Sequence, residues 1–122
     1  MSDELSKTAY NKLEEAAMCG FRWVLARGPE WERKEFGFWV ILKADKKVAY
    51  HYTTPESGEG TRVKLRMPTG LNVRAFCHTH PKSDTTGDFG ADDLDSFRQA
   101  SKTASGISYF LMNGMPELRA IF

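Results

Sequence analysis

The chain has 122 residues, 17 Lys plus Arg against 16 Asp plus Glu, and a formal net charge of +1. That length suits one domain, spanning 1–122, with a single core, and apolar and charged fractions of 41% and 27% are those of a globular protein rather than a disordered or fibrous one. The basic residues are scattered instead of gathered into a nucleic-acid footprint, and no apolar run reaches membrane-spanning length, so neither a nucleic acid nor a membrane is expected as partner.

The N-terminus lacks the basic-then-apolar plan of a signal peptide. The two cysteines, Cys19 and Cys77, are too few for a disulfide framework. Together these point to a reducing, cytoplasmic setting, with signal-independent export left open.

In chain order, residues 3–26 read as one helix. Leu5, Ala9, Leu13, Ala16, Ala17 and Phe21 recur at helical spacing, Ser2 is the candidate N-cap, and "RGPEW" ends the helix with Gly and Pro. "EFGFWVILK" has the aromatic and β-branched content of a buried strand. "ADKK" is a hairpin turn into a second strand, "VAYHYTT". "PESGEG" reads as loop and "TRVKLRM" as a half-exposed strand. After the turn "PTG" comes the strand "NVRAFCHTH", which Pro81 ends because it has no backbone donor. Residues 82–88 are polar loop, and "GADDLDSFRQASKTA" is a helix with acidic residues in its first turn, where the macrodipole favours them. "ISYFLMN" and "ELRAIF" close the chain as a hairpin. The order α–β–β–β–β–α–β–β predicts an α+β domain, with a central mixed, mostly antiparallel sheet flanked by helices.

In the strand "NVRAFCHTH", residues two apart share a face. Val73, Ala75 and Cys77 make one apolar face, so the strand is expected to be central and covered on both sides. His78 and His80 project together from the other face at the strand's end. Two converging imidazoles suit zinc, which takes nitrogen, sulfur or carboxylate ligands. Asp92 and Asp93, in the first turn of the following helix, offer a third ligand. A fourth position left to water would make the site catalytic.

"HTHP", a polar loop, and Asp-Leu at a helix start resemble the motif of the JAMM (MPN+, JAB-like) zinc metalloproteases. The likeness is closest to small bacterial JAB-like domains, some of which sit at the C-termini of toxin-like proteins. The family pattern has a Glu on an early strand, and Glu35 opens "EFGFWVIL" in the corresponding place after the first helix. The resemblance implies the JAB/MPN fold, which is cytidine-deaminase-like, and a hydrolase that cuts a peptide or isopeptide amide in a protein or peptide substrate. It further implies that His78, His80 and Asp93 ligate zinc, with Asp92 as the alternative, and that Glu35 is the general acid/base. The sequence departs from the pattern in two respects. With Asp93 as ligand, the loop after Pro81 is two residues longer than usual. The motif's oxyanion-supporting Ser falls on Gly90, and losing one such donor typically costs about 100- to 1,000-fold in rate. Ser83, Thr85 or Thr86 from the loop, or the Gly90 N–H, are the candidate replacements. Two alternatives follow from the departure: a catalytically weakened MPN-like protein-binding module, or a toxin-associated metal-binding domain with a dedicated protein partner.

Other constellations are weaker. Cys77 beside His78 suggests a thiol nucleophile, but neighbours on a strand face opposite ways, so a buried, inert Cys77 is expected. Cys19 reads as core. A zinc deaminase needs His-x-Glu and a later Cys-x-x-Cys, which the sequence lacks. His51, between Tyr50 and Tyr52, is expected on an exposed or half-buried face. Trp23, Trp31 and Trp39 read as packing residues, with Trp31 a candidate for lining a groove.

Overall fold

The run "FGFWVILKA" forms the strand on which the sheet is assembled, β1 (Phe36–Ala44). The structure, a computed structural model, describes residues 5–27, 34–44, 48–57, 71–79, 107–112 and 118–121. Before β1 comes a helix, α1 (Leu13–Leu25). After it come β2 (Val48–Tyr52), β3 (Glu56–Ser57), β4 (Val73–Thr79), β5 (Ser108–Met112) and β6 (Leu118–Ile121). The strands make one sheet in the order β2-β1-β4-β5-β6, with β3 also paired to β1. Only β4 and β5 run parallel; the other pairings among the described residues are antiparallel. The domain is α+β with a mixed, mostly antiparallel sheet. The expected strand at 61–67 and the helix at 90–104 lie outside the described residues. Among those described, no helix is long and apolar enough to cross a membrane.

Each face of the sheet carries its own core. On one, Phe38, Val40, Ala75, Cys77 and Phe110 meet Ala16, Ala17 and Phe21 of α1. On the other, Trp39, Ile41, Val73, Phe76 and Ile107 pack together. Period-two alternation along β1 produces this division, with Phe38 and Val40 up and Trp39 and Ile41 down. Val73 does not share a face with Ala75 and Cys77 as the sequence predicts. The β1–β4 register runs Trp39↔Phe76, Val40↔Ala75 and then Ile41↔Val73, which makes Arg74 an extra residue in the ladder. Such a bulge inverts the parity of what precedes it, and Val73 lands opposite the helix.

The N-terminus is a second correction. The helix begins at Leu13, with Lys12 at its N-cap, extended (φ −128, ψ 147) and lacking a side-chain cap bond. Residues 5–10, expected to be helical, instead run along the outer edge of β2. Leu5 bridges Thr53 and Tyr10 bridges Tyr50. The Ser6 N–H donates to the Tyr52 carbonyl at 2.8 Å, and Tyr10 and Tyr50 exchange bonds of 2.8 Å. The apolar spacing of Leu5 and Ala9 fits a helix, yet an unpaired sheet edge offers backbone partners that an isolated first turn cannot. Leu5 packs on the Trp39 cluster and Tyr10 on the Phe38 cluster. The segment therefore wraps the edge from one face to the other. Ser2 lies outside the described residues.

"PESGEG", expected to be loop, contributes β3. A threonine hydroxyl replaces a main-chain acceptor where the pairing on this side of β1 changes register. Thr53 is fully buried, and its N–H donates to the Trp39 carbonyl at 2.8 Å. The Trp39 N–H returns a bond to Thr53 Oγ1 at 2.8 Å. Pro55, which has no N–H, prevents the strand from continuing in register, and pairing resumes one residue out of step at Gly37↔Glu56.

Helix and sheet meet most closely at Gly20. A methyl group there would overlap the Cε2–Cζ edge of the Phe38 ring, which also sits edge-on to Phe21 at 5.1 Å and 71°. Gly20→Ala is therefore expected to destabilise by about 1–3 kcal/mol, through overpacking, despite alanine's better helix propensity. Thr53→Val should cost about 1–3 kcal/mol by stranding the Trp39 N–H, with Thr53→Ser close to wild type. Equilibrium urea unfolding reads both.

Candidate functional site

β4 is the strand the sequence marks as central, and it lies between β1 and β5. Its residues 75–79 are all buried. His78, 1% exposed, faces away from α1. Its ring lies nearly parallel to that of Phe76 (5.8 Å, 16°), which in turn packs on Trp39 at 4.6 Å. The imidazole thus ends an aromatic row on the face opposite the helix. Its cross-strand partner is Gly37.

Glu35 immediately precedes β1 and is half-buried. The residue after it begins the β1–β4 ladder, in which Gly37 pairs with His78. The Phe36 N–H donates to Thr79 Oγ1 at 3.0 Å, a buried bond between residues 43 apart in the chain. Thr79 is fully buried, so the hydroxyl pins the backbone beside Glu35 to the His78–Thr79 end of β4. Sequence reasoning passed over this structural role of Thr79, although its place between the two histidines was a signal.

Of the predicted site residues, His78 lies at the end of β4 and Glu35 directly before the start of β1, which pairs with it. His80, Ser83, Thr85, Thr86, Gly90, Asp92 and Asp93 lie outside the described residues. Among the described residues, no three His, Cys, Asp or Glu side chains converge to hold a metal ion. The chemistry of the described pair is compatible with zinc: the buried His78 carries an imidazole nitrogen of the type that would ligate it, and the Glu35 carboxylate, expected as acid/base and not as ligand, is at the same end of the sheet.

Cys77 lies on the opposite face from His78, in the core under α1. Burial pushes its thiol well above the usual range, which removes the thiolate a nucleophile needs. Cys19, expected in the core, is only half-buried. The Tyr10 phenol has its pKa raised to about 12, first by burial and then by interaction with Cys19 and Tyr52. Tyr52 is likewise raised, by burial and then by Cys19. His51 is half-buried, as expected, and its Nδ1 lies 3.0 Å from the Ser6 carbonyl, holding the edge segment. Trp39 is core and Trp23 is partly buried beside Phe36 and Val24, with the Arg27 guanidinium 3.8 Å from its ring centre. Trp31 is outside the described residues. A cavity of about 300 Å³ lies along the edge segment, lined by Lys7, Tyr10, Trp23, Tyr52 and Thr54 among others. Among the described residues, neither Glu35 nor His78 lines it.

No family profile, curated protein or solved structure matches the chain. The thiol assignments are open to a direct check. With an aromatic disulfide reagent at neutral pH, one thiol per chain, Cys19, is expected to react in the native protein. Cys77 should react only on unfolding, and Cys77→Ser should leave the native reaction unchanged.

Proposed function

We propose that this domain is a zinc-dependent hydrolase of the JAMM type, cutting a peptide or isopeptide amide. The observation that carries the reading is that Glu35 directly precedes the start of β1, which pairs with the His78–Thr79 end of β4. Glu35 and His78 are far apart in sequence, and the β1–β4 ladder and the Thr79 hydroxyl draw them to one end of the sheet. The mixed sheet, with His78 on a central strand covered on both faces, is the setting the JAB-like resemblance calls for.

In this reading His78, His80 and Asp93 (or Asp92) hold the zinc, which when bound acidifies water and polarises the amide carbonyl. Glu35 accepts a proton from the attacking water and returns it to the leaving amine, so one carboxylate serves as base and then as acid. Phe76 and Trp39 build an apolar wall beside His78 that limits access of bulk water and strengthens the electrostatic interactions within the site. Gly90 stands where the family has an oxyanion-supporting Ser, and this favours a second reading, a weakened protein-binding module that keeps the fold and loses turnover.

Elemental analysis separates the readings before any activity screen. One zinc per chain is expected in the wild type, lost in His78→Ala and in His80→Ala. Glu35→Ala should keep the zinc and lose hydrolysis of amide and isopeptide substrates by about 100-fold or more. A metal-free wild type sinks the hydrolase reading, and zinc without turnover selects the binding module.

A further inference from the structure

Near the start of β1, a position without a side chain separates two polar ones. Gly37 pairs with His78 of β4 on one side and with Glu56 of β3 on the other. Directly opposed residues of antiparallel strands send their side chains to the same face, with Cα atoms about 4.5–5.5 Å apart. Glu56 and His78 therefore rise from one face, two strand spacings apart, and glycine places nothing between them. Glu56 is half-buried, whereas its neighbour Ser57 is exposed. A carboxylate against the sheet is screened less than one in open solvent.

We infer that Glu56 is a positioning residue of the proposed metal centre: a fixed negative charge, facing His78 across Gly37, that strengthens cation binding without ligating the cation. The inference rests on the zinc reading of the site. It concerns a residue for which the sequence gives no signal, because "PESGEG" has the composition of a plain loop. Coulomb attraction between a carboxylate and a divalent ion about 8–10 Å apart, in a medium between protein surface and water, amounts to several-fold in affinity. That is smaller than the loss of a ligand and large enough to measure.

The test is a zinc titration against a chromophoric chelator, using wild type, Glu56→Gln, Glu56→Ser and Glu56→Asp. Glu14→Gln, in the exposed first turn of α1, is the control. Both charge-removing variants are expected to bind zinc about threefold to tenfold more weakly. The deficit should shrink as ionic strength rises past about 0.15 M, where the Debye length is about 8 Å. Glu56→Asp should stay within about twofold of wild type by the same charge argument, and the control should not move. A merely structural role would give a loss that ignores salt and is not rescued by aspartate, and that result overturns the proposal. Equal affinities for wild type and both charge-removing variants also overturn it while leaving the hydrolase reading intact. A wild type that binds no zinc overturns both.

Discussion

The antiparallel pairing of β1 with β4 sets the position of everything else in this domain. β1 is fully buried from Phe36 to Ile41 and β4 from Ala75 to Thr79. Burying backbone N–H and C=O groups is tolerable only when they are paired, so the two strands fix one another before any side chain is considered. Once they are joined, alternation assigns Phe38, Ala75 and Cys77 to the helix and Trp39, Phe76 and His78 to the opposite face. The helix can then approach closely only because Gly20 leaves room for the Phe38 ring.

Side-chain acceptors replace main-chain ones at two places on β1: Thr79 receives the Phe36 N–H at the end of the β1–β4 ladder, and Thr53 receives that of Trp39 on the β2 side. Each hydroxyl satisfies a buried donor. The Thr79 bond ties the backbone next to Glu35 to the end of β4. Beyond Thr53 the register shifts by one at Pro55, and Glu56 pairs with Gly37.

The opposite edge shows the same economy. Residues 5–10 satisfy the outer hydrogen-bonding groups of β2 at Tyr50 and Tyr52, and Ser6 ties the segment down through its main chain and its hydroxyl. Tyr10, Tyr52 and Cys19 close the seam on the helix side. An edge covered in this way does not offer a template for association.

The sequence by itself determined the strands and the inertness of Cys77. β1, β2, β4, β5 and β6 were legible because each is a short run of β-branched and aromatic residues bounded by turn formers, and strand parity put Cys77 and His78 on opposite faces. Local pattern also placed the helix's C-terminal half, where Ala16, Ala17, Phe21 and Val24 form one buried stripe. Only the tertiary structure decided the rest. It decided that Leu5 and Tyr10 pair with β2 instead of extending the helix, that Arg74 is a bulge that turns Val73 over, and that Glu56 belongs to a strand. In each case a long-range backbone partner outweighs a local preference worth a few tenths of a kcal/mol per residue, and no window of sequence contains that partner. The β1–β4 pairing is of the same kind: it brings the start of β1, next to Glu35, to the His78–Thr79 end of β4.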